Sequence, residues 1–339
     1  EELRAYNLTH PEAPLVLIQG LWIDEERFLG TQDLYDAQLM EDFSAEVTSA
    51  VAAVTGDITL PERPGHAAGR YTADISPWLV GWIIGIELDP WAVNESDRKN
   101  AARPAHEGSW FSASSTATPT ESWYAAQLDH LAGELASREL SMPLAFTNWP
   151  TTDPLDHPYE PIASEDLVAV DPNHVRPEPA WRGGYFASYH AYPYYPDFQK
   201  LEPSLTEYRL GGRVDPYAGY LAALKEHHAG LPVVIAEFGV PGGMALAHRG
   251  PLGRNQGAHS EAEQMRINAE MLNLIREQGL AGGLLFEWAD EWFKRTWNTV
   301  ALEHPAVRRA LWLSAFNNEA QFGLLARRPG AGPLIGIDG

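Results

Sequence analysis

The stretch LVGWIIGIELDP, residues 79–90, is almost entirely apolar up to Glu87 and then carries a second carboxylate at Asp89. A short continuous apolar run is typical of a strand covered on both faces, as in parallel sheets flanked by helices. A second stretch, LPVVIAEFGVPGG at residues 231–243, ends in the same way at Glu237. The sequence therefore predicts two buried strands, each with an acid at its carboxyl end.

Five further runs of strand length share this apolar character. The seven runs are APLVLIQG (13–20), GDITL (56–60), GWIIGIE (81–87), MPLAFTNW (142–149), YFASYHAY (185–192), LPVVIAEFG (231–239) and AGGLLFEW (281–288). Helical patterns lie between them at Met40–Val54, Glu121–Glu139, Asp215–Ala229 and Ser260–Gln278, the last with a capping box of Ser260 and Glu263. Strands that alternate with helices predict βα units around a parallel sheet.

Long connections rich in Pro, Gly, Trp and His follow several of these strands. Elaborate loops at the carboxyl ends of parallel strands are where (β/α)8 TIM barrels build their sites, so we predict that fold. Seven strands are one short of eight, and the opening EELRAYN has the pattern of a helix. We therefore expect the first strand upstream of Glu1, a barrel domain over residues 1–325, and a linker or further domain beginning at 326–339 of a longer protein.

The composition excludes several classes of function. The 339 residues carry a formal net charge of −22 without a basic run, so nucleic acid would be repelled. The absence of Cys removes disulfides, thiol catalysis and thiolate metal sites. No apolar run reaches the roughly 20 residues that span a bilayer, so membrane insertion of this segment is not expected. The compartment stays open, with an extracellular or cell-envelope location preferred to the cytoplasm.

The twelve histidines show no HExxH or other metal-ligand spacing. Most lie singly in loops, which predicts surface histidines and no metal or cofactor site. A metal-assisted hydrolase remains an alternative that chelation would test.

Glu87 and Glu237 lie 150 residues apart, on different predicted strands. Two carboxylates that converge on one cleft are what cleavage of a glycosidic bond requires. Their separation suits strands four and seven of a barrel. Asp89, Asp74 and Glu95 are the alternatives to Glu87.

Four motifs in order resemble the clan of retaining glycoside hydrolases with a TIM barrel, which includes families 2 and 5. They are GIELDP with Glu87, YHAY with His190 and Tyr192, IAEFG with Glu237, and LLFEW with Trp288, spread over Leu15–Trp297. The resemblance implies that Glu237 is the nucleophile and Glu87 the acid/base. It also implies that Tyr192 hydrogen-bonds the nucleophile, that His190 reaches the substrate, and that Trp288 stacks on a sugar ring.

The chain departs from this clan at one position. The clan usually has Asn directly before the acid/base Glu, where the amide meets the sugar 2-hydroxyl, and this chain has Ile86. We hypothesise that Asn148 supplies a comparable amide. Further residues expected to bind an oligo- or polysaccharide are Trp22, Trp149, Asp290 and Glu291, and loop tryptophans at 110, 292 and 297 lie near the predicted mouth.

The activity that this resemblance implies is hydrolysis by double displacement. A transglycosidase or glucan-remodelling enzyme on the same fold is the first alternative. A non-catalytic carbohydrate-binding barrel is the second, supported by Ile86. The sugar, the linkage and the anomer stay open, because loop shape sets them.

Overall fold

The computed structural model describes residues 1–63, 66–305, 308 and 311–327. The chain divides into two compact units. The first comprises Glu1–Pro154 and Leu167–Ser188, and the second comprises Leu155–Asp166 and Tyr189–Gly339. Most of the segment predicted as a linker or following domain, residues 328–339, lies outside the described residues.

The first unit contains five α-helices and the first seven strands among its described residues. The helices are α1 (Glu2–Thr9), α2 (Glu25–Thr31), α3 (Ala37–Val54), α4 (Pro90–Asn100) and α5 (Pro119–Ala136). The strands are β1 (Leu17–Leu21), β2 (Ile58–Leu60), β3 (Gly69–Tyr71), β4 (Leu79–Ile84), β5 (Phe111–Ala113), β6 (Leu144–Asn148) and β7 (Val175–Pro177). Strand β8 (Ala187–His190) contains the point where the chain passes into the second unit.

Strand β4 lies between β1 and β6, and both pairings are parallel. Leu21 pairs with Ile84, and Ile84 in turn pairs with Phe146. The carboxyl ends of β1 and β4 therefore lie level at one edge of the ladder, and β6 extends two residues further. Residues that directly follow these strands, among them Trp22 and Glu87, are brought to that edge.

The run GDITL was expected to be a strand of the parallel sheet, and that expectation is wrong. Residues Ile58–Leu60 form β2, which pairs only with β3 in an antiparallel two-stranded sheet. Its side chains are half-buried or exposed, because three residues with a polar centre cannot be covered on both faces. The other six predicted runs thus contribute strands, and α-helices separate consecutive members of this set except β6 and β8.

The second unit contains four α-helices and six strands among its described residues, besides the end of β8. The helices are α6 (Phe198–Leu201), α7 (Pro203–Thr206), α8 (Pro216–His227) and α9 (Glu261–Glu277). The strands are β9 (Arg209–Leu210), β10 (Arg213–Val214), β11 (Val233–Phe238), β12 (Gly243–Leu246), β13 (Gly257–His259) and β14 (Gly282–Leu285).

Strands β11 and β14 are parallel, with Val234 opposite Gly282 and Phe238 opposite Leu285. The amide of Phe286 continues this ladder by donating to the carbonyl of Phe238 at 3.0 Å. Helix α9 connects the two strands, which makes a βαβ unit. The chain is therefore an α/β protein with parallel strands and intervening helices.

Helix starts follow the capping signals in the sequence. Ser260 and Glu263 form the predicted capping box of α9, and Thr118 and Glu121 form another at α5. Asp215 caps α8 by accepting from the amide of Ala218. These local interactions explain why the helix boundaries lie within three residues of the predicted ones at each of these starts. Among the described residues, no helix has both the length and the apolar character to cross a bilayer.

Candidate active site

Glu87 lies at the carboxyl edge of the first unit, three residues after β4 ends, and is half-buried. The turn that leads to it depends on Gly85, which has φ +91°. A Cβ at this position would lie 2.6 Å from Oη of Tyr124, a buried side chain. The tight packing beneath Gly85 sets the direction in which the chain leaves β4, with Ile86 only 7% exposed.

The three alternatives to Glu87 each hold local structure. Asp89 is the N-cap of α4 and accepts from the amide of Ala92 at 2.8 Å. Asp74 accepts from the amide of Ser76 at 2.8 Å. The third, Glu95, forms an ion pair with Arg98 on the surface of α4. Each of the three acids thus has a structural contact, and all three stay alternatives to Glu87 as the acid/base.

Trp149 ties the ends of β6 and β4 together. Its indole Nε1 donates to the carbonyl of Leu88 at 2.9 Å, directly beside Glu87. The preceding Asn148 is fully buried, and its amide donates to the carbonyl of Val170 at 2.7 Å. The Asn148 oxygen accepts from Oγ1 of Thr152 and from the backbone amide of Trp149, both at 2.8 Å. The Asn148 side chain thus organises the loop after β6, and its binding of a sugar hydroxyl stays a prediction.

Glu25 was not among the site residues predicted from the sequence. It lies in the first turn of α2, where burial and the carboxylates of Glu87 and Asp89 raise its pKa. A cluster of like charges therefore surrounds Glu87. Trp22 directly follows β1, two residues before the N-cap Asp24 of α2, and is 69% exposed at the same edge.

Glu237 lies near the carboxyl end of β11 in the second unit, with its side chain 20% exposed. The hydroxyl of Tyr192 donates to Oε2 of Glu237 at 2.7 Å. Nδ1 of His190 lies 3.4 Å from the same oxygen. The backbone amide of Ala191, between these two residues, donates to the carbonyl of Glu237 at 2.9 Å. The contact expected between Tyr192 and Glu237 is present, and the catalytic roles of both stay predictions.

Tyr192 is held in place from two sides. Its carbonyl accepts from Nε2 of Gln199 at 2.7 Å. Its ring packs edge-on against Phe286 and Phe322, with ring centroids 6.4 and 5.9 Å apart. Edge-to-face packing of this kind fixes ring orientation. The tyrosine hydroxyl is thereby aimed at the carboxylate by both backbone and ring contacts.

Trp288, which was expected to stack on a sugar ring, lies after β14 with its side chain 65% exposed. Phe286, two residues earlier, is the aromatic residue that packs against Tyr192. Positions i and i+2 of an extended strand share a face, but the paired register of β14 ends at Leu285, before both Phe286 and Trp288. Sequence spacing alone did not distinguish these two residues.

Asp290 and Glu291 were expected to bind substrate, and both make internal contacts. Asp290 accepts from the amides of Gly323 and Arg327, at 3.0 and 3.2 Å. The carboxylate of Glu291 lies 3.2 Å from Nζ of Lys294. Asp290 therefore holds the chain segment that follows the loop. Substrate binding by either residue stays a prediction.

Glu287, which lies in the LLFEW motif, was assigned no role from the sequence. Burial raises its pKa from 4.5 to about 7, with Glu291, Asp290 and Glu237 adding to the increase and Lys294 opposing it. Glu237 and Glu287 therefore influence each other electrostatically. A carboxyl group that titrates near neutral pH beside another acid is the pattern found at functional sites.

An aromatic ladder continues outward from Tyr192. Tyr194 lies 5.6 Å from Tyr192, His248 stacks parallel to Tyr194 at 6.5 Å, and Trp297 lies 5.6 Å from His248. Burial and the charge of Lys200 lower the pKa of His248, which favours its neutral form. Exposed aromatic faces suit sugar rings, and Trp297 ends the ladder with 65% of its surface exposed.

Several histidines are buried, contrary to the expectation of surface positions. The His157 ring stacks on Phe198 with centroids 3.4 Å apart, and its Nδ1 lies 3.0 Å from the Glu202 carboxylate. His228 is fully buried, with Nε2 2.7 Å from the hydroxyl of Tyr189. A single histidine in a loop carries no periodicity, so the sequence could not reveal this packing.

Comparison with known proteins gives distant structural likenesses. No family model and no curated protein matches the chain. It is similar to an endo-β-1,4-mannanase from Thermotoga petrophila at 12% identity and TM-score 0.41, over 84% of this chain and 52% of that one. It is also similar to a calcium-binding mutant of Bacteroides uniformis β-glucuronidase 2 at 9% identity and TM-score 0.41, over 85% of this chain and 24% of that one.

A third similar structure is a glycoside hydrolase family 5 mannosidase from Rhizomucor miehei. It is 11% identical with TM-score 0.32, over 76% of this chain and 49% of that one. The chain thus spans about half, or less, of each of these glycosidases. Identities and TM-scores this low do not assign a family or an activity.

Proposed function

We propose that this chain is a retaining glycoside hydrolase built on a (β/α)8 barrel, with an oligo- or polysaccharide as substrate. The observation that carries the proposal is the pair of contacts on Oε2 of Glu237, from Tyr192 at 2.7 Å and from His190 at 3.4 Å. A carboxylate at the end of a buried strand, oriented by a phenol and an imidazole, is suited to attack an anomeric carbon.

Glu237 is the proposed nucleophile. Donation from Tyr192 stabilises the charged carboxylate before reaction and fixes its orientation. As the glycosyl ester forms, the carboxylate loses its charge, and this hydrogen bond weakens. The tyrosine then remains near the reacting centre, where its hydroxyl can contact the ring oxygen or the departing carboxylate during hydrolysis of the ester.

Glu87 is the proposed acid/base. It would protonate the leaving oxygen in the first step and take a proton from water in the second. Its place between the buried side chains of Ile86 and Leu88, at the end of β4, supports this role because it limits the access of solvent. A retaining mechanism requires carboxyl groups about 5–5.5 Å apart.

Trapping with an activated 2-fluoroglycoside tests the nucleophile. We expect a covalent label on the VVIAEFGVPGG peptide of the wild-type protein, and none in Glu237→Gln. Glu270→Gln, which removes a surface carboxylate paired with Arg266, is the matched control and should label normally. Label on another peptide would contradict the assignment of Glu237.

Azide rescue tests the acid/base. Glu87→Ala should lose activity on substrates with poor leaving groups and retain glycosylation of activated aryl glycosides. Azide should then accelerate turnover and yield a β- or α-glycosyl azide of the same configuration as the substrate. Failure of azide to restore turnover, with an otherwise folded protein, would assign the proton transfer to another residue.

A non-catalytic carbohydrate-binding barrel is the second candidate. Buried Ile86 in place of an amide, together with the use of the Asn148 oxygen by Thr152 and Trp149, favours it. If no glycoside is turned over while wild type and Glu237→Gln bind glycans equally, binding is the function. A transglycosidase would instead give products longer than an oligosaccharide substrate.

We further propose that residues 1–325 form one catalytic domain. An extracellular or cell-envelope location is the compartment that we favour for an enzyme acting on polysaccharide. Fractionation of the source cells, with an antibody against this chain, tests the location.

A further inference from the structure

The segment FEWADEWFK, residues 286–294, contains three acids and one lysine directly after β14. Asp290 holds the backbone at Gly323 and Arg327. Glu291 forms an ion pair with Lys294, whose Nζ also lies 3.7 Å from the Glu319 carboxylate. Internal contacts therefore account for Asp290, Glu291 and Lys294. They do not account for Glu287.

Glu287 lies at the same edge of the β11–β14 ladder as Glu237, two residues beyond Leu285, which pairs with Phe238. Phe238, the residue after Glu237, bonds through its carbonyl to the amide of Phe286, the residue before Glu287. The ring of Phe286 packs against Tyr192, whose hydroxyl binds Glu237. The two glutamates therefore extend from the same edge of neighbouring parallel strands.

The side-chain oxygen Oε1 of Glu287 is not explained by these internal contacts. Oε1 is buried and has no hydrogen-bond partner within the described ranges of the chain. A buried polar atom without a partner costs about 1–3 kcal/mol, so such atoms call for an explanation such as a bound ligand. The backbone on both sides is fixed, since the carbonyl of Glu287 accepts from the amide of Leu324 at 3.0 Å.

The ionisation of Glu287 suits contact with a neutral sugar. With its pKa raised to about 7, first by burial and then by Glu291, the carboxyl group is largely protonated in mildly acidic solution. A protonated carboxyl group both donates and accepts a hydrogen bond, so it can pair with a hydroxyl group in either direction. Lys294, over the face of Phe286 at 4.7 Å, limits the increase in pKa.

We propose that Glu287 is a substrate-contacting residue whose Oε1 binds a ring hydroxyl of the sugar held against Glu237. This inference rests on the proposed glycosidase function and adds to it a second carboxyl group on the nucleophile's side of the site. The ligand class is a neutral pyranoside with a hydroxyl at the position that Oε1 contacts.

Kinetics of two variants test the contact. Glu287→Gln keeps a donor and an acceptor, and Glu287→Leu removes both at similar volume. On an activated glycoside we expect Glu287→Leu to lose about 10-fold in kcat/KM, mainly through KM, as loss of one hydrogen bond to a polar partner implies. Glu287→Gln should stay within about 3-fold of wild type at pH 6, since an amide replaces both hydrogen bonds of the neutral acid.

Monodeoxy substrates identify the hydroxyl. The loss caused by Glu287→Leu should vanish on the one deoxyglycoside that lacks the contacted hydroxyl, and persist on the others. Glu270→Gln, a surface acid on α9, is the control for a change of charge. A melting temperature for each variant separates loss of contact from loss of fold, and Glu287→Ala, which also removes the donor and the acceptor, provides the test if Glu287→Leu does not fold.

Glycan binding provides a readout that does not depend on turnover. Glu237→Gln and the double variant Glu237→Gln/Glu287→Leu are compared on the same oligosaccharides by calorimetry. Weaker binding by the double variant supports the contact. Equal binding, or equal loss of kcat/KM on every deoxyglycoside, overturns it while leaving Glu237 as nucleophile. A protein that neither binds nor cleaves any glycan overturns both proposals.

Discussion

The hydroxyl of Tyr192 and Oε2 of Glu237 form a 2.7 Å hydrogen bond at the carboxyl edge of the second unit. The tyrosine is held by Gln199 through its backbone and by Phe286 and Phe322 through its ring. Such constraints pre-organise a donor before substrate arrives, which is how a carboxylate is oriented without a cost at the moment of reaction.

Tyr192→Phe should lower kcat by about 10- to 100-fold on an activated glycoside, since an oriented donor contributes at about this level. The ring packing remains, so the melting temperature should change little. Tyr208→Phe removes a hydroxyl that lies 3.3 Å from Gln278 and is the matched control. Equal kcat values for all three proteins would exclude a role of the Tyr192 hydroxyl in the reaction.

The free energy of unfolding should depend on pH through Glu287. Its folded pKa of about 7 exceeds the ordinary value of 4.5, so between these values the folded state keeps a proton that the unfolded state releases. Stability from this group is therefore present below about pH 4.5, falls as pH rises towards 7, and then levels off.

Glu287→Gln cannot ionise, so its stability relative to wild type should increase between pH 5 and pH 8. Urea denaturation across this range measures the difference. A constant difference between the two proteins at every pH would show that Glu287 has an ordinary pKa in the folded protein.

Gly85→Ala should destabilise the first unit. Its positive φ costs an alanine about 1 kcal/mol, and the clash with the buried Tyr124 ring adds about 1–3 kcal/mol. Gly30→Ala, in α2 with open space around its Cα, should leave stability unchanged or raise it. Denaturation of the two variants checks the prediction, and a neutral Gly85→Ala would contradict the packing described here.

Arg254→Met should cost about 3–5 kcal/mol, because it leaves the Asp215 carboxylate buried without its partner. The two side chains form a bidentate pair at 2.7 and 2.7 Å, and both are largely buried. Arg266→Met, which breaks an exposed pair with Glu270, should cost about 0–1 kcal/mol. Comparable losses for the two variants, measured by urea denaturation, would argue against the buried pair.

Trp297→Ala should affect long substrates more than short ones. Its exposed ring lies beside His248 at the outer end of the aromatic ladder, where it can stack on a sugar remote from Glu237. We expect kcat/KM to fall about 5- to 10-fold on an oligosaccharide, because about 1–1.5 kcal/mol of aromatic contact is lost. On an aryl monosaccharide, kcat/KM should be unchanged. Equal effects on both substrates would place the ring outside the binding path.

Local sequence signals predicted the four longest described helices and the strands of the parallel ladders β1–β4–β6 and β11–β14. The runs that form β4, β6, β11 and β14 are visible in the sequence as short continuous apolar segments. Short-range caps such as Ser260 with Glu263 located the helix starts. GDITL failed because a run of five residues is compatible with a hairpin or a sheet strand, and only its pairing with β3 decided between them.

Part of the candidate site was also predicted from local sequence signals. Glu237 and Tyr192 stand at strand ends, and their contact follows from parallel strands whose carboxyl ends share an edge. Phe286 packs against Tyr192, whereas Trp288 is exposed. In the sequence, the position of either residue after the apolar run suited an aromatic side chain at the site. Glu25 lies on a helix with no pattern that marks it, and its pKa is raised by burial and by the carboxylates of Glu87 and Asp89, which are distant in sequence.

By itself, the sequence determined the α/β class, the positions of buried strands and the acids that end them, because each depends on burial over a few neighbouring residues. Only the tertiary structure decided which acids cap helices, which pair with lysine, and which keep a buried oxygen without a partner, as Glu287 does. Those differences arise from desolvation and charge contributed by residues distant in sequence, and no local pattern records them.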